Sequence, residues 1–149
     1  MGKTRLFNLK SGIWHITFLN RHLTDTRAYT FAIILSHYKG DWVLVRHHHR
    51  STWEIPAGHV EQGETVYEAA HRELFEETGA KKYEMTCLSS YSGQYNGKTV
   101  YGMLFHAEIQ EFGPLPKSEI ADKKIFPAIP DNLTYPDIQP QFIQYYLNS

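Results

Sequence analysis

Cysteine is nearly absent. Cys87 is the one cysteine in 149 residues, which excludes an intramolecular disulfide framework and a multi-cysteine zinc site. A single thiol fits a reducing compartment, so a cytoplasmic protein is expected. Cys87 alternates into a strand pattern, which predicts a buried, inert side chain. Long apolar runs are missing too. None approaches the roughly 18 residues a membrane-spanning helix needs, and the first residues lack the apolar core of a signal peptide. Nor is there an excess of one charge. Fifteen Lys and Arg against sixteen Asp and Glu give a formal net charge of -1. That balance excludes a surface dominated by nonspecific nucleic-acid binding; neither a nucleic-acid nor a membrane partner is expected. Repeats, low-complexity segments and interdomain linkers are absent, so one domain is expected over residues 1–149.

What is present is a globular composition, 42% hydrophobic and 21% charged. Ile13 to Leu19 reads as a strand. The nearly continuous apolar run from Tyr29 to Ser36 reads as a strand buried on both faces. Gly40-Asp41 marks a turn into a third strand beginning at Trp42. "TWEIPAG" is a short extended piece stopped by Pro56 and Gly58. Tyr83–Gln94 and Thr99–Ile109 form a predicted hairpin around Asn96-Gly97, a strong two-residue turn signal. "KKIFPAIP" supplies a short edge strand, since its prolines limit ladder pairing. A last helix starts at Pro140 and runs to Leu147. The expected fold is α/β, a mixed sheet with helices on both faces.

The sharpest feature is a helix predicted over Val66 to Thr78. Thr65 is its N-cap, Glu68 completes a capping box, and Gly79 stops it. On a helical wheel turning about 100° per residue, Ala69, Ala70 and Leu74 fall on the side of Val66 and form the sheet-facing stripe. Glu73, Glu76 and Glu77 share one arc of about 100°, and that arc overlaps the stripe. An ordinary solvated acidic face would lie opposite, near Phe75. Glu73 and Glu77 are also a like-charge i, i+4 pair, costing about 0.2–0.5 kcal/mol even when exposed. Glu76 and Glu77 oppose the helix dipole, at about 0.3–1 kcal/mol each. Arg72 reaches Glu76, Glu73 or Glu68, but one guanidinium cannot neutralise three carboxylates. A hard divalent cation with phosphate oxygens would supply the missing positive charge; an exposed, hydrated helix end is the alternative.

The segment "GHVEQGETVYEAAHRELFEETGA", Gly58 to Ala80, closely resembles the Nudix box, G-x5-E-x7-R-E-U-x-E-E-x-G-U, with U a bulky aliphatic residue. Gly58, Glu64, Arg72, Glu73, Leu74, Glu76, Glu77 and Gly79 all match in register. Ala80 is the one departure, and it stands where a larger aliphatic is usual. The resemblance implies the Nudix fold, an α/β/α sandwich. It implies that Glu73, Glu76 and Glu77 bind Mg²⁺ or Mn²⁺, with the Gly58 carbonyl as a further ligand. Arg72 would hold the glutamates by hydrogen bonds, and Glu64 would make polar contacts at the loop–helix junction. The implied reaction is Mg²⁺-assisted hydrolysis of a nucleoside diphosphate linked to another moiety X, by attack of water on phosphorus. The proton acceptor would be Glu77, Glu73 or, as in some relatives, a glutamate of a later loop, here Glu119. Alternatives are a pyrophosphatase that sanitises the nucleoside triphosphate pool, a dinucleoside polyphosphate hydrolase, and a non-catalytic Nudix-fold nucleotide sensor or RNA-binding domain. An isoprenoid-type isomerase on the same fold wants Cys and Glu positions this sequence does not offer. Dimers are common among relatives, so a homodimer is an expectation.

Outside the box, Arg46 and Arg50 of "RHHHR" are candidate phosphate ligands, since guanidinium suits phosphate. The three histidines between them point to alternate faces if extended, which argues against a histidine-only zinc site. Tyr91, Tyr95 and Tyr101 surround the hairpin turn as candidate base-stacking residues. In the family a tyrosine past the box accompanies dinucleoside polyphosphate hydrolases, and Tyr95 stands at such a place. Trp14, Trp42 and Trp53 are expected in the packing.

Overall fold

The computed structural model describes residues 14–149; Ile13, expected to open the first strand, lies outside them. Its strands are β1 (His15–Leu19), β2 (Phe31–Tyr38), β3 (Asp41–His47), β4 (Ala57–His59), β5 (Ala80–Tyr95), β6 (Lys98–Phe112) and β7 (Ile120–Phe126). Its helices are α1 (Val66–Thr78) and α2 (Gln139–Leu147). The sheet runs β1-β5-β6-β2-β3-β7, with β4 paired to β2. The pairing of β2 with β6 is parallel, Phe31 opposite Gly102, and the named neighbours otherwise pair antiparallel.

β2 explains the layering. Phe31, Ile33 and Leu35 belong to one core cluster with Ile138, Phe142 and Ile143 of α2 and the loop before it. Ala32 and Ile34 belong to a second cluster with Val66, Ala69, Ala70 and Leu74 of α1. Successive strand residues point to opposite faces, so α1 and α2 cover opposite sides of the sheet. That is the expected mixed sheet between helices.

The turns follow backbone chemistry. Asn96 and Gly97, at φ 50° and 77°, make the expected tight hairpin. In the β2–β3 turn the left-handed residues are Lys39 and Gly40, at φ 52° and 84°; Asp41 already opens β3, so the turn lies one residue earlier than the expected Gly40-Asp41. β5 begins directly after the helix stop at Ala80, three residues before the expected Tyr83, through two register shifts near Lys82. The last strand lies earlier than "KKIFPAIP": β7 ends at Phe126, where Pro127 removes the next donor. Cys87 is half-buried rather than fully buried, and burial pushes its thiol up from the ordinary value.

Candidate active site

α1 has the bounds its caps predict. Thr65 Oγ1 accepts from the Glu68 N–H at 3.1 Å, and Glu68 Oε1 accepts from the Thr65 N–H at 2.8 Å. That reciprocal box commits Glu68, so it is not the partner of Arg72. At the other end Gly79 takes φ 75° and its N–H donates to the Phe75 carbonyl.

The helix turns its acids inward. Glu73 and Glu77 are 0% and 1% exposed, Glu76 is half-buried, and Phe75 on the opposite side is 50% exposed. The neighbouring strand is fitted to them. Glu77 Oε1 accepts the Ala57 N–H at 3.1 Å. A Cβ at residue 58 would overlap the Glu73 carboxylate, so the close approach of β4 requires glycine.

Arg72 is the hub. Its Nε and Nη2 grip Glu64 in a two-pronged pair at 2.7 and 2.9 Å, while Nη1 reaches Glu73 at 2.9 Å and Glu76 at 3.3 Å. Nη2 also donates to the His59 carbonyl at 3.0 Å. The hydrogen bonds from Arg72 hold the Glu64 carboxyl below its usual range. Those to Glu64, with the fields of Glu73 and Glu61, hold the guanidinium proton more tightly than usual. Glu64 thus anchors the arginine that anchors the acids.

The sequence of α1 offers no basic residue in its last turn, yet the helix end is not left bare. Lys123 Nζ, arriving from β7, donates to the Thr78 carbonyl at 3.1 Å and lies 3.7 Å from the Phe112 ring centroid. A cation there opposes the negative end of the helix dipole. Burial lowers its proton affinity. Ser118 Oγ donates to the Glu76 carbonyl at 3.4 Å, which brings the loop carrying Glu119 against the acidic end of α1.

The remaining candidates divide by sheet face. Tyr95 packs in the α2-side cluster and stacks on Trp14 with centroids 5.1 Å apart, whereas Glu73 and Glu77 lie on the α1 side. Tyr91 is fully buried on Phe142; Tyr101 is the exposed one of the three. Arg46 lies over Trp53 and donates to the Arg50 carbonyl at 3.0 Å. Arg50 Nη1 donates to Glu54 Oε1 at 3.2 Å and the Tyr135 hydroxyl at 3.3 Å. These side chains are engaged with the protein itself. Of the three histidines, His47 is buried while His48 and His49 are exposed. His49 has already left the strand at φ 72°, so the three do not converge. His47 Nε2 lies 3.2 Å from Glu54 Oε2, and its Nδ1 lies 3.9 Å from Glu119 Oε2. Sequence pattern alone does not single out Glu54, His47 as a buried group, Tyr135 or Lys123. For Glu54 the only hint is an acid between Trp53 and Ile55 in a short extended piece.

The model of the NUDIX domain matches residues 26–131. This chain belongs to the Nudix family. Among curated relatives, the Bacillus subtilis protein YtkD, provisionally named an 8-oxo-dGTP diphosphatase, is 30% identical over 104 residues. Those residues are 68% of this chain and 64% of YtkD. An RNA pyrophosphohydrolase of Yersinia enterocolitica is 34% identical over 58 residues, 39% of this chain and 33% of that protein. The chain thus spans less than two thirds of either relative's length. The crystal structure of the Bacillus subtilis pyrophosphohydrolase BsRppH superposes with a TM-score of 0.74 at 22% identity, covering 89% of this chain and 90% of that one. The Nudix fold is established on both counts.

Nudix hydrolases generally use a divalent metal, and the donor set here is of the right kind. Three carboxylates and a backbone carbonyl are hard oxygen donors, and the glycine-only fit of residue 58 sets that strand against Glu73. Among the described residues, no three His, Cys, Asp or Glu side chains converge into a ready-made cage. Arg72 Nη1 bridges Glu73 and Glu76 at 2.9 and 3.3 Å.

Proposed function

We propose that this chain is a divalent-metal-dependent pyrophosphohydrolase that cleaves a nucleoside diphosphate linked to a further moiety X. The observation that carries the reading is a pair of buried glutamates, Glu73 and Glu77, seated against a strand that admits only glycine at residue 58. Burial of carboxylates is costly unless opposite charge compensates it. Glu73, Glu76 and Glu77, with the Gly58 carbonyl, are the proposed donors to Mg²⁺ or Mn²⁺. Bound there, the ions would screen polyphosphate charge and lower the barrier to attack of water on phosphorus. Arg72 keeps the acids in place through its contacts with Glu64, Glu73 and Glu76. Glu119 is the proposed acceptor of the water proton. Products would be a nucleoside monophosphate and phosphorylated X, or pyrophosphate where the substrate is a triphosphate.

Two relatives are named for 8-oxo-dGTP and for RNA. Those names favour a damaged nucleoside triphosphate or a phosphorylated RNA end, and this is the second reading. The test is a hydrolysis screen with Mg²⁺, read by chromatography of the monophosphate and pyrophosphate products. It covers nucleoside triphosphates including 8-oxo-dGTP, 5′-triphosphorylated RNA, ADP-ribose, nucleotide sugars and dinucleoside polyphosphates. The ranking names X. No turnover on any of them would sink the enzymatic reading and leave a nucleotide-sensing or RNA-binding domain.

A further inference from the structure

His47 is a buried imidazole with a carboxylate at each nitrogen. Its side chain is 2% exposed. Glu54, itself 5% exposed, lies 3.2 Å from Nε2, and Glu119 lies 3.9 Å from Nδ1. Three features of the fold build this arrangement. Glu54 is bridged to Val45 by paired backbone hydrogen bonds of 2.9 Å, which puts its side chain on the same sheet face as His47, two residues along. The β3–β7 register shifts between Arg46 and His47, so His47 meets Ile120 rather than the next residue in step. The His48 N–H then donates to the Glu119 carbonyl at 3.0 Å, and that pins the loop at the residue whose carboxylate faces Nδ1.

The chemistry of imidazole narrows the roles. A neutral ring has one N–H and one lone pair. Glu54 is the nearer and more buried carboxylate, so it takes the Nε2–H and fixes the tautomer, as a carboxylate behind a working histidine does. Nδ1 then offers its lone pair toward Glu119. Arg50 holds the far oxygen of Glu54 at 3.2 Å, so Glu54 cannot swing to follow a different tautomer.

We propose that His47 is a positioning residue for the reaction: oriented by Glu54, its Nδ1 presents a hydrogen-bond acceptor to the proton that Glu119 takes from the attacking water, and so favours Glu119 in the protonated form. In that transfer one O–H bond of water breaks, one forms on Glu119, and the new carboxyl O–H points at Nδ1. This inference rests on the hydrolase reading above.

The substituents of choice mimic one ring nitrogen each. Gln reaches the Nε2 position and Asn the Nδ1 position. His47→Gln keeps the contact to Glu54 and loses the one to Glu119; the expected result is a melting temperature within about 2 °C of wild type and kcat down about tenfold or more with KM little changed. His47→Asn keeps a polar atom toward Glu119, so it retains more kcat than His47→Gln while being less stable. In a Glu119→Gln background, His47→Gln should cost less than about twofold further. Activity that tracks stability across the two variants, or a full multiplicative loss in the double variant, overturns the proposal. A second arm does not need turnover. The imidazole ¹⁵N resonances of His47 should show a protonated Nε2, and Glu119→Gln should move Nδ1 far more than Nε2. Unmoved Nδ1, or a protonated Nδ1 with bare Nε2, refutes the arrangement. If wild type hydrolyses nothing in the screen, the hydrolase reading fails on its own, and the resonances still decide whether His47 and Glu119 are coupled.

Discussion

Gly58 lies flat against Glu73: a Cβ on residue 58 would collide with the Oε2, Cδ and Cγ atoms of that glutamate. Since Glu73 is wholly buried, its carboxylate has no open solvent to retreat into.

Gly58→Ala should therefore act on Glu73. Overpacking in a closed site costs about 1–3 kcal/mol, and the displaced carboxylate should cost at least about a hundredfold in kcat. Thermal unfolding and steady-state kinetics on the same preparation check both. A variant with normal turnover would remove Glu73 from the site.

Glu76→Gln and Glu77→Gln should each lower turnover by orders of magnitude and leave the fold intact. Without metal, each change removes one of several crowded carboxylates, so the melting temperature should hold or rise. In wild type, Mg²⁺ should raise it by mass action, about 2.7 kcal/mol at a hundredfold excess over Kd. Glu77→Gln should blunt that response, and an undiminished Mg²⁺ shift would count against Glu77 as a ligand.

Lys123→Met should weaken the end of α1. It removes a charged donor to the Thr78 carbonyl and a cation at the negative pole of the helix, together about 1–2 kcal/mol. Chemical denaturation measures this. Lys123→Arg should recover much of the loss, because it restores the charge and a donor.

Acid should destabilise the protein before its carboxylates titrate. Burial, helped by the nearby His106, lowers His37 from 6.5 to about 4. Below its unfolded value of 6.5 the unfolded chain binds a proton that the folded chain refuses, so stability falls as pH drops from about 6.5 toward 4. Below that both states are protonated and this contribution is spent. His59 and His106 are lowered in the same direction by burial. The melting temperature should decline between about pH 6.5 and 5, and His37→Asn should flatten the slope in part. An unchanged slope would place the sensitivity elsewhere.

Local chemistry was legible in the sequence. Thr65, Glu68 and Gly79 set both ends of α1 without help from the rest of the chain, and helical periodicity put Glu73 and Glu77 among the buried residues. Asn96-Gly97 set its hairpin because only residues tolerant of positive φ complete that turn. Pairings across long stretches of chain were not legible. Nothing in the spacing of Lys123 announces the Thr78 carbonyl, because the contact depends on β7 lying beside β3. The pairing of His47 with Glu119 depends on a register shift that no alternation pattern encodes. Tyr95 shows the converse: its place after the box suggested a base to stack on, and the strand parity that sends it to the α2 side is visible only once the sheet is assembled.

The central pairing joins β2 to β6, with Phe31 opposite Gly102, so the middle of the sheet closes only after a long intervening stretch has been made. Such distant pairings slow folding. During synthesis, the helix bearing the acids would leave the ribosome well before the lysine that caps it or the loop that faces it. A nascent chain ending near Phe112 would hold the whole acidic motif with Arg72 in place but the Thr78 carbonyl still without Lys123.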